Sequence, residues 1–225
     1  FLNWAGTNND FINPTTVTMT SDKTVAAYFE PPPPPGEFHS PLGAGWNLLS
    51  TPVTLESGFN TFGVIVDPLD VLSAYRFSGN HWYPVAANYV LKPLEGIYVN
   101  ALLPTEAVFI ASTDITAPPS RNLAAGWSII APAPPYDAGL EGFPDMPVWV
   151  NLGCLWTSIT VFGGEASFSN IVSPALNQPA WIFLPIFAEE GPAMLAFKGY
   201  WLYMERPDYL VGFSTTPLAP EIPEI

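Results

Sequence analysis

The sequence predicts an all-β, mainly antiparallel fold, built from a duplicated, pseudo-symmetric β domain with room for one or two short helices. Three observations carry this. "LGAGWNLLSTPV" (42–53) returns as "LAAGWSIIAPAP" (123–134), a self-similarity that marks internal duplication. Proline and glycine, 27 and 17 of 225 residues, break the chain too often for long helices. They still stay below the ~25–30% at which disorder becomes the default. Apolar residues make up 48% of the chain, enough to bury a sizeable core.

Each copy opens on Gly-Trp. Gly45 and Gly126 are read as turn or close-approach positions. Trp46 and Trp127 are read as equivalent, large buried rings, so that Trp46→Ala would cost ~3–5 kcal/mol as a core truncation. The aliphatic run that follows suits a strand covered on both faces, and proline then ends pairing. "SGFNTFGVIVDPLDVL" (57–72) repeats Phe59, Phe62 and Val66 at helical spacing and predicts a short helix. "LSAYRFSGNHWYPV" (72–85) reads as a hairpin about Ser-Gly-Asn. The copies close on "LKPLEGIYVNALLPTEAVFIAST" (91–113) and "MLAFKGYWLYMERPDYLVGFSTT" (194–216), which align without a gap. Gly45 to Gly96 is 51 positions and Gly126 to Gly199 is 73, so the second copy carries 22 extra residues, expected within 139–170.

The first thirty residues are different, rich in Thr and Asn. "TVTMT" (16–20) and "TVAAYFE" (24–30) read as strands about an "SDK" turn. Phe1 and Trp4 in "FLNW", Gly6, Asn13-Pro14-Thr15, Met19 and "DKTVAAYFE" resemble the closing half of the internalin-B-type repeat. That repeat is a small β-grasp-like module of bacterial surface proteins. The resemblance implies an extracellular surface protein, not an activity. The family's opening half has no counterpart here, which would leave a sheet edge. In an arbitrary fragment the segment is expected to be mobile or draped over the β domain. In a processed subunit the edge would be filled by strand donation between chains, with filament growth. The tail "PLAPEIPEI" (217–225) is one candidate donor. "PPPPPG" (31–36) reads as a polyproline II spacer, with an aromatic-groove ligand as the sharper alternative. The expected organisation is therefore 1–30 partial β repeat, 31–38 linker, 39–118 first copy, 119–218 second copy and 219–225 tail. The sequence begins at Phe1 without a signal peptide, so a piece of a longer protein is expected.

"AGWNLLSTPV … LKPLEGIYV" and "AGWSIIAPAP … FKGYWLYM" resemble the Gly-Trp-Asn-Leu repeats near the C-termini of secreted and surface-layer-like prokaryotic proteins. The second copy departs from that pattern at Ser128 and in its extra length. This resemblance implies a structural or adhesive role and brings no active site with it.

Composition narrows the partners. Six basic residues against twenty acidic ones give a net charge of −14, which leaves no cationic face for nucleic acid or an anionic membrane. No apolar run is long enough to span a bilayer, and no catalytic constellation stands out, so no enzyme is expected. His39 and His81 are distant from the lone Cys154, which reads as a small buried apolar residue. Asp137, Glu141 and Asp145 lie in a Gly/Pro-rich stretch whose hard oxygen donors suit calcium. The aromatics Trp82, Tyr83, Trp149, Trp156, Tyr200, Trp201 and Tyr203 are a candidate carbohydrate platform, with Trp82, Tyr83, Trp201 and Tyr203 foremost. A coplanar row of solvent-facing rings would favour sugar. The sequence thus predicts a non-enzymatic, extracellular structural or adhesive module of a prokaryotic cell-surface protein, such as a surface-layer or filament subunit. Its expected partners are further copies of itself or neighbouring surface proteins. The alternative is a carbohydrate-binding module of a larger secreted enzyme.

Overall fold

The computed structural model describes residues 3–5, 18, 26–28, 36–112, 118–133, 145–155, 166–185 and 191–211. The chain divides into two units, 1–34 and 35–225. In the first, β1 (Asn3–Ala5) pairs antiparallel with β2 (Ala26–Tyr28), Trp4 opposite Ala27. The expected strand at 16–20 lies outside the described residues, save Thr18.

Among the described residues the second unit is antiparallel β with two short α-helices, as predicted. Its first copy contains β3 (Glu37–Leu42), β4 (Gly45–Ser50), α1 (Phe62–Ile65), β5 (Val71–Ser78), β6 (His81–Pro84), β7 (Gly96–Ala101) and β8 (Thr105–Ile110). The second contains β9 (Ser120–Leu123), β10 (Gly126–Ile130), β11 (Met146–Pro147), α2 (Val148–Asn151), β12 (Phe168–Ser173), β13 (Trp181–Phe183), β14 (Ala193–Met194), β15 (Tyr200–Met204) and β16 (Asp208–Val211). The first sheet runs β4-β7-β5-β6 and the second β10-β15-β12-β13, while β3-β8 and β9-β16 form matching two-stranded pairs. Even the irregularities correspond. A bulge sits between Val71 and Ser73 against Ala101–Asn100, and another between Phe168 and Asn170 against Met204–Tyr203.

This correspondence relocates the extra length. Gly45 and Gly126 are 81 positions apart, Val71 and Phe168 are 97 apart, and Gly96 and Gly199 are 103 apart. Sixteen of the 22 extra residues therefore precede β12, but α2 and β11 are not among them: Val148 N bonds to Pro192 O as Phe62 N bonds to Tyr89 O, and Pro147 faces Ala193 as Thr61 faces Val90. The other six follow β12, outside the expected 139–170. They lengthen the β12–β13 turn and the connection to β15, which contains β14. The first hairpin is tight because Gly79 and Asn80 both adopt positive φ, the geometry of a two-residue turn between Ser78 and His81. The predicted helix is a single turn at Phe62–Ile65. Phe62 and Val66 are buried, and Asp67 Oδ1 caps the following 3₁₀ turn by accepting from Leu69 N at 2.9 Å.

The copies join through one contact made twice. Leu48 is buried against Gly199, where a Cβ would lie 2.6 Å from Leu48 Cγ. Ile129, its counterpart, is buried against Gly96, where a Cβ would lie 2.4 Å from Ile129 Cγ2. Both glycines follow the same turn, Lys92–Glu95 and Leu195–Lys198, whose third residue is Leu94 or Phe197 at φ 61° and 60°. That is the left-handed position of a type II turn, normally taken by glycine or asparagine. The strain, of order 1–3 kcal/mol each, is offset by burial in the opposite copy's core. Leu94 packs with Leu123, Ile130 and Tyr200. Phe197 stacks on Phe109 at 4.6 Å and packs on Phe38. Backbone hydrogen bonds repeat the exchange, from Ser50 N to Phe197 O (2.9 Å) and from Ala131 N to Leu94 O (3.1 Å). Buried Lys198 adds a bond from Nζ to Pro41 O at 2.8 Å.

Two expected outcomes follow from these contacts. Gly96→Ala and Gly199→Ala should each lower unfolding free energy by about 1–3 kcal/mol through overpacking, and by similar amounts, as measured by urea denaturation. A neutral Gly199→Ala would contradict the reciprocal packing. Protonated His39 donates from Nε2 to Glu37 Oε1 (2.9 Å) on its own strand and from Nδ1 to Glu106 Oε2 (3.1 Å) on β8. These two bonds raise its pKa above 6.5. A raised folded pKa contributes stability that is present below the unfolded value, while the glutamates are ionised, and is lost as pH rises through the folded value. An NMR titration of His39 with its midpoint at or below 6.5 would refute the pairing.

Candidate functional site

Strand alternation decides which rings share a face. Trp46 lies two residues from Leu48 on β4, and Leu48 is opposite Tyr98 on β7. Tyr75 is opposite Tyr98, and Phe77 is opposite Trp82. These rings therefore stand on the face of the first sheet that Leu48 turns toward the second copy. In the second sheet Trp127 is opposite Tyr203, and Ile129 is opposite Trp201. The two faces meet tightly at Leu48 and Ile129. They leave the outer rings half open, with Trp46 41%, Trp127 39% and Trp82 50% exposed.

The tryptophans thus occupy equivalent positions, but the expected burial does not hold. Gly45 and Gly126 adopt φ of 85° and 99° with open space where a Cβ would stand, so they serve backbone turns rather than close packing. The next residue, Trp, then faces the gap between copies, and the aliphatic residues beyond it form the core.

The rings form one continuous network. Trp46 contacts Tyr75 and Tyr98 with centroids at 6.2 and 6.1 Å. Trp82 contacts Phe77 at 5.1 Å, Tyr98 at 5.4 Å and Trp201 at 5.8 Å. Trp127 contacts Trp201 at 6.0 Å and Tyr203 at 5.2 Å. At the centre, Trp201 Nε1 donates to Tyr98 Oη at 2.7 Å. These two residues are counterparts in the duplication, so the bond lies where the copies exchange roles. Burial raises the Tyr98 pKa against the opposing pull of that bond, which keeps the phenol neutral.

Two clefts open in this network, each made from one copy's sheet and the other copy's hairpin. The larger, about 620 Å³, is lined by Trp46, Tyr75, Trp82 and Tyr98 and roofed by Pro174, Ala175 and Leu176. The smaller, about 390 Å³, is lined by Trp127, Val172 and Trp201, with Phe77 and Trp82 above. Val172 corresponds to Tyr75 and Pro174 to Phe77, so the clefts are related by the duplication. The roof of the larger is fastened by Asn177, whose Nδ2 donates to Asn47 Oδ1 at 2.8 Å. Asn47 also accepts from Gly43 N and donates to Gly43 O and Gly45 O. This gives the Asn of the first Gly-Trp-Asn a purpose. Ser128, in the second copy, cannot span the same turn.

The foremost sugar candidates separate. Trp82, Trp201 and Tyr203 belong to the network. Tyr83 alternates to the opposite face of β6, beneath Arg76 at 4.5 Å. The network rings tilt 43–88° from one another, so they are not a coplanar row. Tyr200 is buried and stacked on Trp181, Trp149 sits in α2, and Trp156 lies outside the described residues. Asp137 and Glu141 also lie outside them. Asp145 is described, and among the described residues no three His, Cys, Asp or Glu side chains gather as a metal site. Cys154 packs against the second core and accepts from Val211 N at 3.4 Å, and burial pushes its thiol pKa up. Sequence reasoning missed Trp46 and Trp127 as surface groups. The available signal was the polar residue after each, since a ring at a strand's first turn need not share the core with the aliphatics behind it.

Compared with known proteins, the chain matches no family model, no curated protein and no solved structure. The internalin-type and Gly-Trp-Asn-Leu resemblances therefore rest on the residues that carry them.

Because the tryptophan is half exposed, Trp46→Ala should cost less than Leu48→Ala, whose loss from a fully buried site is worth about 2–5 kcal/mol. Paired chemical denaturation curves check the order. A Trp46 variant that is the less stable of the two would restore the buried reading.

Proposed function

We propose that this chain is a non-enzymatic structural or adhesive module of an extracellular, cell-surface protein, with the two aromatic clefts as its working contact surface. The observation that carries this reading is the exposure of Trp46, Trp82 and Trp127 around clefts whose linings are aromatic and aliphatic. Large rings are costly to leave in water, and tryptophan and tyrosine dominate the energetic centres of protein contacts. The lining residues include no carboxylate, histidine, lysine or cysteine; their polar groups are the phenols of Tyr75 and Tyr98 and the indole N–H groups. The surface-protein resemblances and the net charge of −14 agree with a secreted setting. Further copies of the chain are the partners this reading favours.

A carbohydrate-binding role is the second reading, and the exposure of Trp82 favours it. Against it stand the steep ring tilts and the scarcity of polar groups in the clefts, because a sugar presents hydroxyls that need partners.

Light scattering across a wide concentration range, with sedimentation on insoluble cellulose and chitin in parallel, separates the two. The expected result is concentration-dependent association that the Trp46→Ser/Trp127→Ser double variant loses while its circular dichroism is unchanged. Retention on either polysaccharide, lost in the same variant, would transfer the role to sugar binding. A chain that stays monomeric would sink the assembly reading.

A further inference from the structure

From the same clefts, and resting on the reading above, we infer that the occupant is a polyproline II segment, Pro31–Pro35 of a second copy. The first argument is hydrogen-bond accounting. An ordinary extended peptide laid in the larger cleft would bury backbone N–H groups against Trp46, Tyr75, Trp82, Pro174, Ala175 and Leu176, with few acceptors to receive them. Each unsatisfied buried donor costs binding energy. A run of prolines has no N–H to satisfy. Its carbonyls point outward along a helix without internal hydrogen bonds, where the indole N–H groups of Trp46, Trp82 and Trp127 can donate.

The second argument is shape. The rings stand edge-to-face, as at Trp82–Tyr98 (77°) and Trp127–Trp201 (88°), so they make slots between rings rather than a flat shelf. Polyproline ligands dock in such aromatic-lined grooves with little ordering cost, because the helix is preformed. Five residues extend about 15 Å at ~3.1 Å each. The third argument is supply. The chain carries five consecutive prolines, Pro31–Pro35, so every copy that offers the clefts also offers the ligand.

A peptide of residues 29–37 (FEPPPPPGE) titrated into the full chain with Pro31–Pro35 replaced by Ser and Gly tests the occupant. Tryptophan fluorescence and the NMR indole N–H signals are the readouts. The expected result is a saturable response at Trp46, Trp82 and Trp127. It should weaken at least about tenfold in Trp46→Ser or Leu176→Ser, as loss of a central contact does. The peptide with five alanines should be weaker by a similar factor. Light scattering should show that the chain without its prolines no longer associates and that free peptide dissociates the intact chain. Equal binding of the alanine peptide, or unmoved indole signals, overturns the inference. Association that survives proline replacement but not Trp46→Ser/Trp127→Ser overturns it and leaves the proposed function standing. A saturable response in an intact chain that is always monomeric overturns the second copy as the source.

Discussion

Two glycines without side chains, each receiving an aliphatic residue from the other copy, hold this molecule in its arrangement. Gly96 admits Ile129 and Gly199 admits Leu48 at distances no Cβ would allow. From that contact follow the backbone bonds between copies, the placement of Leu94 and Phe197 in each other's cores, and the spacing of the two sheets. The sheets meet where side chains are absent and separate where tryptophans stand. The clefts are therefore a consequence of the interface, formed because its inner half is packed closely and its outer half is filled with rings too large to close.

Exchange of this kind explains why the unit is a pair. Each core contains one residue held at positive φ by the other copy's turn. A single copy would keep the strained turn and lose the burial that offsets it. Small domains already bury a low fraction of their surface, so the duplication supplies both area and a reason for the turn geometry. Arg121 belongs to the same seam. Its Nη1 donates to Leu94 O at 2.8 Å, which also accepts from Ala131 N, and to Ile129 O at 2.7 Å, tying both sides of the exchange together, and burial lowers its pKa.

The duplication is faithful in backbone and selective in side chains. Strand order, bulge and turn are common to both copies, while cleft linings differ at Tyr75 against Val172 and Phe77 against Pro174. The extra length of the second copy falls mostly between α2 and β12 and between β13 and β14, and it also lengthens the hairpin whose tip roofs the larger cleft. Asn47 and Asn177 fasten that roof, a polar link available to only one of the clefts. The two sites thus share an origin and differ in depth and chemistry.

The sequence alone determined the β class, the duplication, the tight hairpin and the position of the short helix, because these depend on local rules: period-two strands, turn residues and repeated phrases. It also determined that Trp46 and Trp127 would be equivalent. It did not determine that they face solvent. Burial of a ring depends on what the opposite sheet places over it, and that depends on Leu48 and Ile129 being drawn into glycine notches far along the chain. Nor did "LKPLEG" or "MLAFKG" disclose a left-handed Leu94 or Phe197, since neither residue favours that conformation locally. Only the tertiary structure decided these points, through contacts between residues far apart in the chain, 33 positions for Gly96–Ile129 and 151 for Leu48–Gly199, where hydrophobic burial outweighs local preference.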